Sequence, residues 1–178
     1  MIYIALLRGI NVGGNNMIAM ADLRATLAKL GFANVTTILQ SGNAVFHGKA
    51  SPTAKLEAVL EKGIAKHHGM TPEFHVRTAD EWQAIVEANP FAAEAKKDPG
   101  HLIVSCYKAP IETARVKALQ AAITGKERVY ADGRQLYMTF PDGMGNSKAA
   151  PLVDRLLGAK GTARNWNTVL KLAQLVSA

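Results

Sequence analysis

The chain writes one order of segments twice, on either side of a break at residues 90–100 that is rich in Ala, Lys, Pro and Gly. That duplication limits the folds available more than any other feature. In the first half, residues 2–7 (IYIALL) are an uninterrupted apolar run ended by Arg8-Gly9, the pattern of a buried strand entering a loop. Residues 20–30 repeat Leu23, Leu27 and Leu30 at helical spacing and stop at Gly31. Residues 35–39 and 44–46 flank Ser41-Gly42-Asn43, which is hairpin chemistry. Ser51-Pro52 is expected to cap a helix striped by Leu56, Val59, Leu60 and Ile64 and closed by Gly69. Residues 72–77 read as a fourth strand. Thr78-Ala-Asp-Glu81 matches a capping box before a helix with Trp82, Ile85 and Val86.

The second half repeats the order. Residues 102–107 read as a strand, 111–123 as a helix, and 128–130 with 135–140 as a hairpin about Asp132-Gly133. A helix over 149–157, a very short strand over 161–164 and a last helix over 165–176 complete it. The first six elements of each half have the order of a ferredoxin-like split βαβ unit. The expected fold is therefore α+β, with two ferredoxin-like (βαββαβ) halves, residues 1–90 and 91–178. Each half is expected to be a four-stranded, mainly antiparallel sheet with helices covering one face. No residue-level repeat accompanies the repeated order.

Composition narrows the function classes. With 178 residues, 48% hydrophobic, the chain has material for a real core. One cysteine, Cys106, excludes an internal disulfide and any zinc site of several cysteines. The N-terminus lacks a basic leader region, and no uncharged apolar run approaches a membrane span. A cytoplasmic protein without membrane association is expected. Residues 1–90 hold eight Lys/Arg against seven acids, and the remainder 13 against seven. The basic second half could attract nucleic acid, nucleotides or phosphorylated metabolites, although a solvated basic surface is the favoured account of it. Aromatics make up only 6%, so nucleic acid is not the favoured partner.

In a split βαβ unit the loops alternate between the two ends of the sheet, so the first β–α loop and the central turn share an end. Here those are Arg8-Gly-Ile-Asn-Val-Gly-Gly-Asn-Asn16 and Gln40-Ser-Gly-Asn43. Glycines let backbone N–H groups approach an anion, and an arginine can hold a phosphate or carboxylate by two hydrogen bonds. The candidate ligand residues are Arg8, Asn11, Gly13, Gly14, Asn15, Gln40, Ser41 and Asn43. The glycine spacing is neither a Walker loop nor a dinucleotide fingerprint. In the second half, residues 143–148 and Arg164-Asn-Trp-Asn-Thr168 share an end, adding Arg164, Asn165 and Asn167. Asn165 or Asn167 is also a helix cap in this reading, and Ser147 an N-cap rather than a nucleophile, because no base is secured beside it. The five histidines lack metal-binding spacing, so neither a metal nor another cofactor is expected.

Taken in order, Leu6-Leu-Arg-Gly-Ile-Asn-Val-Gly-Gly14, Met20-Ala-Asp-Leu-Arg24, Gln40-Ser-Gly-Asn43, Asn89-Pro-Phe91 and Thr162-Ala-Arg-Asn-Trp-Asn-Thr168 resemble the bacterial domain of unknown function 1697 family. The resemblance runs from Tyr3 to about Leu172. It implies a two-part α+β protein and carries over no catalytic residue. Three function classes follow. The favoured one is a binder of, or enzyme on, a small anionic or phosphorylated ligand at a site between the halves lined by Gly, Asn and Arg. The alternatives are a non-catalytic scaffold whose polar motifs lock the halves and, last, a nucleic-acid module. Oligomeric state is not legible.

Overall fold

The computed structural model describes residues 1–14 and 16–177. Among these residues eight strands form two four-stranded sheets, each wholly antiparallel. The first sheet contains β1 (Ile2–Arg8), β2 (Ala33–Ile38), β3 (Asn43–His47) and β4 (Glu73–Thr78) in the order β2-β3-β1-β4. The second contains β5 (Leu102–Cys106), β6 (Arg128–Asp132), β7 (Gln135–Thr139) and β8 (Thr162–Asn165) in the order β6-β7-β5-β8. The chain divides into two compact units. One comprises Met1–Ala84 with the chain from Leu172 on, and the other Ile85–Lys171.

In the first unit, α1 (Met20–Lys29) and α2 (Thr53–His68) bring Leu23, Leu27, Leu56, Leu60 and Ile64 against Tyr3, Ala5, Leu7, Phe46 and Val76. These sheet residues alternate along their strands, so they share a face. The other face is buried as well: Ile4, Leu6, Val45, His75 and Arg77 are almost inaccessible. Burial of both faces explains why the β1 run is continuously apolar rather than alternating. Ser51 does not cap α2. The N-cap is Pro52, whose carbonyl starts the helix, and the Ser51 N–H donates to the Tyr3 hydroxyl at 3.0 Å. Tyr3 is fully buried, and this bond helps satisfy its hydroxyl.

α3 (Ala79–Glu87) begins with the expected capping box: Thr78 N–H donates to Glu81 Oε2 and Glu81 N–H to Thr78 Oγ1. Residues 92–97, expected as irregular chain, form the six-residue helix α4 (Ala92–Lys97). Its alanines and lysines are strong helix formers, and Pro90 and Pro99 bracket it, so it is short but regular. In the second unit, α5 (Thr113–Ala122) and α6 (Val153–Leu157) pack Leu119 and Leu157 against Leu136 and Met138. The helix expected over 149–157 is a 3-10 turn at Ala150–Leu152 followed by five residues of α-helix. The last helix, α7, spans Trp166–Ser177. Among the described residues, no helix is long and apolar enough to cross a membrane.

Candidate functional site

The polar segments of the first unit meet at one end of its sheet, as the alternation of loops requires. β1 ends at Arg8, which is half-buried and stands opposite Glu73 in the register. The chain then turns through left-handed conformations at Gly9, Asn11, Gly13, Gly14 and Asn16. Such conformations favour glycine and are tolerated by asparagine. Asn11 fixes the loop. Its Nδ2 donates to the Ile18 carbonyl at 3.0 Å and the Gln40 carbonyl at 2.8 Å, while its Oδ1 accepts from Ile18 N–H at 2.8 Å. Asn16 Nδ2 closes the loop onto the Gly9 carbonyl at 3.1 Å.

The central turn is fixed in the same manner. Asn43, fully buried, donates through Nδ2 to the Ile38 carbonyl and to Ser41 Oγ, each at 3.0 Å. Gly42 supplies a carbonyl to Leu7 N–H at 2.8 Å. A Cβ on Gly42 would lie 2.5 Å from Ile10 Cδ1 and 2.9 Å from Leu7 Cβ, so only glycine lets the turn seat against β1. The glycine loop and the turn are thus one rigid assembly, with Gln40 contributing its backbone carbonyl to it. Gly13 and Gly14 have open space where a side chain would stand. Their backbone is accessible to a ligand. Asn15 lies outside the described residues.

In the second unit the loop after β7 and the exit of β8 share an end, since Thr139 pairs with Leu102 and Asn165 with Ile103. Asn165 is the cap: its Oδ1 accepts from Thr168 N–H and Thr168 Oγ1, each at 3.0 Å. Asn167 is exposed on the first turn of α7. Arg164 is buried within β8, where Nη1 donates to the Ala163 carbonyl at 2.7 Å and Thr162 Oγ1 at 3.0 Å. Burial lowers its pKa to about 10, with the neighbouring Cys106 acting in the opposite sense. It remains a cation at neutral pH. Ser147 is not the expected N-cap, a position Ala149 holds for the 3-10 turn. Its Oγ instead accepts from Ala149 N–H at 3.1 Å and Ala150 N–H at 3.2 Å just ahead of that turn, and it donates to Glu127 Oε1.

Two features escaped the sequence reading. The first is Arg77, as deeply buried as any core residue and donating Nη1 to the Val76 carbonyl at 2.9 Å. A strand reading FHVRT gave no reason to bury it, although Arg77-Thr78 and Arg164-Asn165 both place an arginine directly before a helix cap. The second is the Asp98–His101 pair, with Nδ1 and Oδ2 2.8 Å apart on a cleft of the second unit. Asp-Pro-Gly-His looked only like a turn.

With this geometry in place, comparison with known proteins decides the family. A family described as protein of unknown function (DUF1697) matches residues 1–137. The chain belongs to it. The match includes the glycine loop, the Gln40–Asn43 turn, the first six strands and the start of β7 of this DUF1697 protein. A solved structure, described as that of the conserved bacterial protein SP0830 from Streptococcus pneumoniae, is similar over 98% of each chain, with 26% identity and a TM-score of 0.76. No curated protein matches the chain.

Proposed function

We propose that this DUF1697 protein binds a small anionic, phosphorylated ligand at the glycine loop of its first unit, and that it works in the cytoplasm. Both halves are read as ferredoxin-like (βαββαβ) units, a reading supported by the two strand orders, β2-β3-β1-β4 and β6-β7-β5-β8. The observation that carries the binding proposal is the pair Gly13-Gly14. Both residues are left-handed and open, on a loop held in advance by Asn11 and adjoining the cationic Arg8. A loop fixed before binding loses little conformational freedom when an anion arrives. Consecutive backbone N–H groups in such conformations form a concavity suited to anions. The proposal uses first-unit residues alone, because Asn165 is occupied capping α7 and Nη1 of Arg164 is engaged within β8.

A second reading, that these motifs only hold the fold, is favoured by the side chains of Asn11 and Asn43, which are spent on the loops themselves. Titration with pyrophosphate separates the two. Ligand binding predicts saturable amide shifts at Gly13 and Gly14, a raised Tm, and loss of both in Arg8→Gln. Unmoved glycine amides at millimolar pyrophosphate would leave the scaffold reading standing.

A further inference from the structure

The second unit carries a cleft of about 490 Å³ built from three pieces of chain: one face of α4, the turn at Pro99–His101, and the end of β7 with the residues after it. Its volume lies within the range of small-molecule sites, about 300–1,000 Å³. Ala93, Phe140 and Pro141 supply apolar wall, while Lys97 and His101 supply polar groups.

The polar groups are unequal in what they can offer. Glu94 is paired with the Arg128 guanidinium, which also lies 4.9 Å from the centre of the Phe91 ring. Thr139 Oγ1 accepts the Arg128 N–H at 3.0 Å. Asp98 Oδ2 is 2.8 Å from His101 Nδ1, and a carboxylate only accepts, so Nδ1 carries the hydrogen and Nε2 is the ring atom left to a ligand. The backbone at His101 is anchored on both sides, its N–H on the Asp98 carbonyl at 3.1 Å and its carbonyl on Phe140 N–H at 2.8 Å. Among the described residues Lys97 has no ion-pair partner. An apolar wall therefore faces one uncompensated ammonium and one carboxylate-oriented imidazole.

We propose that this cleft binds a small organic acid together with a proton, its apolar body against Phe140, Pro141 and Ala93 and its carboxylate on Lys97 Nζ and on the Nε2–H of His101. The His101 ring is then the imidazolium, which donates from Nδ1 to Asp98 and from Nε2 to the ligand. The site is independent of the glycine loop, which belongs to the other unit. Benzoate is the probe. Titrated into the whole protein, it should shift the amides of Ala93, His101 and Phe140 together and leave Gly13 and Gly14 in place. Benzamide, which keeps the ring and lacks the charge, should bind more weakly, as should inorganic phosphate, which has charge and no ring. Lys97→Met and His101→Gln should each weaken benzoate roughly tenfold, the effect of one charge-assisted hydrogen bond. Both side chains are at the surface, so an unchanged amide spectrum in the free state verifies folding. Equal binding of benzamide would overturn the anionic head, equal binding of phosphate the apolar body, and absent shifts at millimolar benzoate the site itself.

Discussion

The two sheets share a strand order and differ in what connects the strands. At the third residue of each central strand, Ile4 in β1 and Val104 in β5, the neighbouring edge strand places a buried arginine, Arg77 or Arg164. Each donates Nη1 to the carbonyl of the residue before it, and each precedes a helix cap, Thr78 or Asn165. The flanking helices also send a carboxylate to the edge. Glu57 and Glu61 on α2 accept from Val76 and Phe74 N–H at 2.9 Å, and Asp154 on α6 from Gly161 N–H at 3.3 Å. The connections, by contrast, diverge. β1 leads into the glycine loop, whereas the β5–α5 link is short and carries Pro110. α2 has 16 residues and α6 only five, and beneath that shorter helix the second sheet keeps a cavity of about 140 Å³. The two units thus share a sheet frame and differ in the connections built on it.

The equivalence of the two arginines is the easiest part of this comparison to break. Arg77→Ala should cost about 3–5 kcal/mol, because it empties a buried site and strands the carbonyl it served. Arg164→Ala should cost somewhat less, since Arg164 is 9% exposed against 1% for Arg77. Urea unfolding midpoints measure both. One large and one negligible cost would show that the matching positions do not do matching work.

Glycines within the first unit sharpen the contrast between frame and loop. Gly42→Ala should cost roughly 2–4 kcal/mol, combining left-handed strain with a clash against Ile10 and Leu7. Gly13→Ala, equally left-handed but open, should cost about 1 kcal/mol. Thermal unfolding of the two variants compares them directly. Asn11→Ala removes three hydrogen bonds and should cost about 2 kcal/mol, with amide exchange accelerating first at Ile18.

The smallest effect concerns Tyr137 in β7, whose hydroxyl donates to the Ile85 carbonyl at 2.7 Å. Burial, then the nearby Asp132 carboxylate, holds its proton well above the ordinary value of 10. The unfolded chain therefore loses that proton first, and the stability Tyr137 contributes is complete below pH 10 and declines above it. Tyr137→Phe should cost about 1 kcal/mol at neutral pH and flatten the alkaline decline of Tm.

Most of the architecture was legible because hydrophobic period and punctuation agreed. The leucines of α1, the Thr78–Glu81 box and the Ser41-Gly42-Asn43 turn each state a local preference that the tertiary structure keeps. Ser51-Pro52 misled because a buried tyrosine hydroxyl claimed the serine backbone. Residues 92–97 misled because punctuation on both sides hid good helix formers between. The polar clustering at the Arg8 loop was legible from topology, but the use of the asparagines was not. A side-chain amide that serves its own loop has the same composition as one that serves a ligand. Arg77 and the Asp98–His101 pair were invisible for another reason: burial and proximity are set by neighbours distant in sequence.

β1, made before its sheet partners, lies inside its sheet, and neither of its neighbours is near it in sequence. Tyr3 pairs with Phe46 and with Thr78, whereas β2 and β3 close as a local hairpin. During synthesis from the N-terminus, IYIALL must therefore wait unpaired until most of the first unit has emerged. An uncharged, β-prone hexapeptide in that position is the kind of segment that nucleates aggregates. Rapid dilution from denaturant should show the same hazard, with yield limited by the arrival of β4 rather than by helix formation.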